Sequence, residues 1–154
     1  MKSEGNPLVI QKRKRSEAGF TLVEVLAVLV LLAALMTMVA PNIIKELQKG
    51  QVKAAQVQIQ TMKSVLNSYY LDNSTYPTTE QGLKALLEKP TTPPEPENWS
   101  GPYLEDNTIP RDPWGGELQY ICPGIHNPDK YDIFSLGSDK KEGGEGSGAD
   151  IGNW

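Results

Sequence analysis

Two groups of residues in this chain of 154 have the types and spacing to do chemistry. The first is a lone carboxylate, Glu24, inside an apolar run that follows Gly19-Phe20 and ends near Ile44. Burying a carboxylate in hydrocarbon costs ~3 kcal/mol or more, so Glu24 needs a cationic partner. The second is the stretch between Leu136 and Ile151, where Asp139, Glu142, Glu145 and Asp150 stand among Gly137, Gly143, Gly144, Gly146 and Gly148. Carboxylates, together with carbonyls that glycines let fold inward, suit calcium, which takes ~6–8 oxygen ligands. The order is not that of an EF-hand, and spacing alone favours a solvated acidic turn.

No catalytic constellation accompanies these groups. Cys122 is the one cysteine, so neither an internal disulfide nor a CxxC pair can form, and it reads as a small half-buried strand residue. His126 is the one histidine, in a loop rich in Pro and Asn. GxSxG, HExxH and phosphate-cradling glycine patterns are missing, so an enzyme is not expected.

The elements that must position Glu24 begin with a basic flank, Lys12-Arg13-Lys14-Arg15, and the small residue Gly19. The apolar run beyond them is too long for a secretory signal, whose core spans ~7–15 residues before a small-x-small site. An ordinary membrane anchor fits the length, because ~20 residues cross the hydrocarbon core, but leaves Glu24 without a role. Basic residues stay on the cytoplasmic side, so everything after Ile44 is expected outside it, in the periplasm of a diderm bacterium. Segment 20–44 is then a transmembrane helix and 45–154 a single globular domain.

Beyond the anchor, Val52, Ala55, Ile59, Met62, Leu66 and Tyr69 recur every three or four residues, widened by Val65 and Tyr70. That is one apolar stripe on a helix continuing to about Leu71, ~78 Å from Phe20 at ~1.5 Å per residue, with Pro41 as the expected site of a kink. Packing against the domain's own sheet explains the stripe better than a coiled coil, which needs more heptads. A second helix is expected at about Glu80–Glu88, capped by Thr78 or Thr79, with Leu83, Leu86 and Leu87 buried. Pro90, Pro93, Pro94 and Pro96 then enforce a surface loop. Leu118–Cys122 and Tyr131–Ser135 read as antiparallel strands, which makes the fold class α+β: a long N-terminal helix on a small antiparallel sheet.

Phe20-Thr21-Leu22-Val23-Glu24 after Gly19 resembles the class III signal of type IV pilins and pseudopilins. Tyr76-Pro77-Thr78-Thr79-Glu80-Gln81-Gly82-Leu83, Pro110-Arg111-Asp112-Pro113-Trp114-Gly115 and Asp150-Ile151-Gly152-Asn153-Trp154 are more specific, and look like the major pseudopilins of type II secretion systems. The similarity covers almost all of the chain after residue 18.

The resemblance implies a type IV pilin-like fold and cleavage between Gly19 and Phe20 by a prepilin peptidase, with removal of 1–19 and N-methylation of Phe20. Removal takes five of the 15 basic and two of the 19 acidic residues, leaving a charge near −7, and nucleic-acid binding is not expected. The new α-amine of Phe20 supplies Glu24 with its partner in a neighbouring subunit. Breaking such a buried pair costs ~3–5 kcal/mol, enough to enforce register. The resemblance further implies a helical homopolymer at the inner membrane, working with minor pseudopilins and an inner-membrane secretion platform to export folded proteins. It also implies calcium in the C-terminal loop, with Asp139 as a side-chain ligand, Leu136 and Lys141 as carbonyl ligands, and Glu145, Ser147 and Asp150 completing the shell. Two other classes stay open: a type IV pilus subunit, against which the single cysteine speaks, and a membrane-anchored binding module using Trp99, Tyr103 and Trp114.

Overall fold

A computed structural model describes residues 19–154 of the protein. Residues 1–18 of the expected leader, with the basic flank Lys12–Arg15, lie outside the described residues. The chain divides into two compact units, one ending at Pro41 and the other Asn42–Trp154.

Helix α1 (Leu22–Asn73) begins two residues after Phe20, and Pro41 lies within it. Its start is capped by Thr21, whose Oγ1 accepts the Glu24 amide at 3.2 Å while its carbonyl accepts the Val25 amide at 3.1 Å. Thr-x-x-Glu is a helix-start signature, and the acidic Glu24 in the first turn favours the positive end of the helix dipole. The apolar part of α1 is long enough to cross a membrane, and among the described residues that stretch is exposed. α1 ends where Ser74 takes a left-handed φ of 56° and Asn73 Nδ2 donates to the Tyr69 carbonyl at 3.0 Å.

Within the second unit, the helical stripe is the core. Ala55, Ile59, Met62, Leu66 and Tyr69 are each at most 1% exposed, while Val52 is half-buried. They meet a three-stranded antiparallel sheet of order β1-β2-β3: β1 (Gln119–Ile121), β2 (Asp132–Ser135) and β3 (Ile151–Gly152). Tyr120 pairs with Ile133, and Phe134 with Gly152. Tyr120, Tyr131 and Ile133 face the helix from the sheet, with Leu118, Leu83 and Leu86 closing the cluster. Burial of each large aliphatic side chain contributes ~1.5–3 kcal/mol, so this contact dominates the unit's stability.

The expected helix Glu80–Glu88 is a single 3₁₀ turn, Leu83–Leu86. Gly82 at φ 57° bars a regular helical start, and the prolines from Pro90 end any continuation. With three residues per turn, Leu83 and Leu86 share the inward face, Ala85 is buried and Leu87 is only half-buried. The 3₁₀ turn has Gly82 at its N-cap and no side-chain cap, so neither Thr78 nor Thr79 caps it; instead Thr78 Oγ1 accepts the Gln81 amide at 3.2 Å and Gln81 Oε1 accepts the Thr78 amide at 3.0 Å in the turn before it. Gln81 Nε2 also donates to the Thr92 and Pro94 carbonyls, pinning the proline loop. Trp99 donates through Nε1 to the Ala85 carbonyl at 2.8 Å and meets Tyr103 edge-on. Trp99 and Tyr103 both pack against the core rather than presenting a ligand face.

Candidate functional site

The N-terminal site consists of Gly19, Phe20 and Glu24. Gly19 and Phe20 precede the helix in exposed backbone, with Phe20 82% exposed. Glu24 is exposed in the first turn of α1, and Leu22, Val23, Val25, Leu26, Val28 and Leu29 around it are exposed as well. A contiguous apolar surface of this length marks an interaction with membrane or with other helices. The peptide bond between Gly19 and Phe20 lies outside regular structure, where a protease can bind it extended.

The C-terminal loop runs between β2 and β3 and folds back on itself. Ser138 donates its amide to the Ser147 carbonyl at 2.9 Å, and Asp150 donates its amide to the Gly143 carbonyl at 3.2 Å. Gly137 at φ 67° brings the two arms together, because a Cβ there would lie 2.8 Å from the Ser147 and Ala149 carbonyl oxygens. Asp139 accepts the Lys141 amide on Oδ1 at 3.1 Å, and its Oδ2 lies against Gly144 and Gly148. Asp150 accepts the Gly143 amide on Oδ2 at 3.0 Å, while its Oδ1 is buried with no hydrogen-bond partner. Ser147 Oγ accepts from Ser138 Oγ at 3.3 Å. Glu145 and Glu142 are exposed, and Glu145 makes no side-chain cap to the 3₁₀ turn Gly146–Gly148 that follows it.

The fold thus brings Asp139, Ser147 and Asp150 onto one compact loop beside Leu136 and leaves Glu145 at its exposed rim. Among the described residues no three His, Cys, Asp or Glu side chains gather as a metal cage. The donor chemistry is a poor match for zinc and a good one for a hard cation, which takes backbone carbonyls and hydroxyls alongside few carboxylates. A buried carboxylate oxygen without a partner is costly, and a cation would satisfy Asp150 Oδ1. The residues present fit calcium.

Two buried carboxylates escaped the sequence reading. Asp132, 1% exposed, accepts the amides of Ile125 and His126 at 2.7 Å and of Asn127 at 3.0 Å, with Asn127 Nδ2 at 2.8 Å. Burial alone would raise its pKa, but the hydrogen bonds from His126, Asn127 and Ile125 outweigh that and hold it below the usual carboxylate value. His126, far from isolated, lies 3.2 Å from Asp132 through Nδ1 and stacks on Trp154 at 3.8 Å. Asp112, 5% exposed, organises the Asp112–Gly116 turn and meets Ser135 of β2. The signal available for Asp112 was its place in Asp-Pro-Trp-Gly, a turn-forming run. Cys122 lies one residue beyond β1, where burial pushes its thiol pKa up, and its Sγ contacts the Lys130 carbonyl at 3.4 Å. That environment is inert rather than nucleophilic.

A capped helix whose apolar half stays uncovered, joined to a domain in which the same helix packs on a small antiparallel sheet, defines a pilin-type subunit. Residues 42–154 match the family of the type II secretion system (T2SS), protein G, and residues 14–40 match the prokaryotic N-terminal methylation motif. The chain is 47% identical over 144 residues to the type II secretion system core protein G of Vibrio cholerae, spanning 93% of this chain and 95% of that protein. It is 43% identical over 143 residues to the core protein G of Pseudomonas aeruginosa, spanning 92% and 98%. The crystal structure of the major pseudopilin from the type 2 secretion system of enterohaemorrhagic Escherichia coli superposes with a TM-score of 0.64 at 42% identity, over 74% of this chain and 95% of that chain. This chain belongs to the type II secretion system protein G family.

Proposed function

We propose that this chain is the major structural subunit of a type II secretion pseudopilus, a non-enzymatic homopolymer that drives folded proteins through the outer membrane. The observation that carries the reading is the uncovered apolar first half of α1 with Glu24 in its first turn, a surface that has no use in an isolated soluble domain. A prepilin peptidase cuts between Gly19 and Phe20, Phe20 is N-methylated, and segment 20–44 holds the subunit in the inner membrane with 45–154 in the periplasm. On assembly the Phe20 amine of one copy meets the Glu24 carboxylate of another in a medium of low dielectric, and an unpaired Glu24 there is penalised. The inner-membrane platform supplies the force, and minor pseudopilins complete the filament.

In the same reading the C-terminal loop holds calcium through Asp139, the Leu136 and Lys141 carbonyls, Asp150 and Ser147, with Glu145 at the rim. The bound ion supplies charge neutralisation and a fixed coordination geometry, and takes no part in a reaction. The partnerless Asp150 Oδ1 and the turned-in loop backbone support this assignment.

The test is co-expression with a prepilin peptidase and a secretion platform, followed by mass spectrometry of the subunit and electron microscopy of sheared filaments. The expected result is a subunit beginning at N-methylated Phe20 and forming filaments. An uncut chain that remains monomeric in the membrane contradicts the proposal.

A further inference from the structure

We propose that Asp112, acting through Ser135, is a positioning residue for the ion loop and sets the direction of the Leu136 carbonyl. The inference rests on the calcium reading above and names what aims one of its ligands. Asp112 Oδ1 is occupied by the amides of Trp114 at 3.0 Å and Gly116 at 2.6 Å. That leaves Oδ2, which accepts the hydroxyl of Ser135 at 2.5 Å. Ser135 is fully buried at the end of β2. A serine hydroxyl has one proton and two lone pairs. With its proton committed to Asp112, Ser135 Oγ can only accept, and it takes the Gly137 amide at 3.1 Å.

The Gly137 amide and the Leu136 carbonyl belong to one planar trans peptide, so they point in opposite directions. Holding the N–H toward Ser135 therefore turns the Leu136 carbonyl away from it. On the other side, the Ser147 and Ala149 carbonyls lie so close to Gly137 that no side chain fits. The peptide is thus held from both sides before any ion arrives. The turn that supplies Asp112 is itself tied to α1, because Gln58 Nε2 donates to the Arg111 carbonyl at 2.7 Å. A carboxylate buried against a serine is an expensive way to fill space, and its two oxygens here are spent on fixing backbone direction.

The test uses the full chain in detergent micelles, comparing wild type with Asp112→Asn, Ser135→Ala and the double variant. Asp112→Asn keeps size and the turn, so it guards against a Ser135→Ala protein that fails to fold. Calcium affinity is measured by calorimetry, and Gly137 amide exchange is measured in chelator. Outer-shell substitutions characteristically weaken metal binding about 10- to 100-fold, and each single variant is expected in that range. The double variant should be no weaker than the weaker single, because both act along one path. Gly137 exchange should accelerate in both. Folded variants that bind calcium within about twofold of wild type overturn the proposal, even if they melt lower in chelator, because non-coupled sites leave each other's energies unchanged. A wild-type chain that takes up no calcium overturns the ion reading instead. The exchange measurement then decides the pair alone, and unchanged Gly137 exchange overturns it.

Discussion

Thr21 Oγ1 accepts the backbone amide of Glu24 at 3.2 Å, so the helix begins immediately beside the Gly19-Phe20 bond and Glu24 stands in its first turn. The carboxylate is exposed and is not a member of the buried hydrophobic cluster. Glu24→Ala is therefore expected to abolish filaments while leaving the melting temperature of the detergent-solubilised chain unchanged, since exposed substitutions are worth within about 0.5 kcal/mol. Electron microscopy and thermal unfolding of the same variant check both halves.

Leu66 and Met62 carry the helix-to-sheet contact, each at 0% exposure. Leu66→Ala is expected to cost about 2–5 kcal/mol, because the transfer energy of the lost methyls adds to the cavity left behind. Chemical denaturation with and without the substitution measures it. A loss below about 1 kcal/mol would mean that the stripe is not the core.

Asp132 sets an acid limit. Its folded pKa lies below the ordinary 3.8, so its contribution to stability is fully present above that value and falls away as pH drops below it toward the folded value. Unfolding midpoints measured in chelator from pH 6 downward should hold down to about pH 4 and then fall for wild type. Asp132→Asn should lower the plateau and flatten the fall. An equally steep fall in the variant assigns the acid sensitivity elsewhere.

Asp139 offers Oδ2 to the turned-in arm of the loop. Asp139→Ala is expected to lower the melting temperature in calcium and to change it little in chelator, because an ion that binds only the folded state adds RT ln(1 + [Ca²⁺]/Kd), about 2.7 kcal/mol at a hundredfold excess. Equal destabilisation in both buffers removes Asp139 from the ligand set.

The helix stripe was legible because burial on one helical face leaves a period of three to four residues, and Ala55 through Tyr69 kept it. Strands β1 and β2 were legible from their apolar and aromatic runs, whereas β3 is two residues, Ile151-Gly152, too short to show alternation. The helix expected at Glu80–Glu88 failed because Leu83, Leu86 and Leu87 suit an α-helix, and the local backbone, bent by Gly82, overrode them. At the N-terminal site Glu24 stood out as a charge in an apolar run and Gly19 as the small residue before it, while Phe20 was marked only by the resemblance to the class III signal. In the loop, acidic residues and glycines were visible, but neither the partnerless Asp150 Oδ1 nor the Asp112 to Ser135 bond has a local signature. Asp112 and Ser135 stand 23 positions apart, so only the tertiary fold brings them together.

In the function proposed above, type II export depends on the filament that this chain builds. The most direct measurement is the amount of folded exoprotein reaching the medium from a strain lacking this chain, complemented with wild type or with Glu24→Ala. Secretion is expected to be lost on deletion and restored by wild type but not by Glu24→Ala, with cargo retained in the periplasm. Undiminished secretion in the deletion strain, or full restoration by Glu24→Ala, would contradict it.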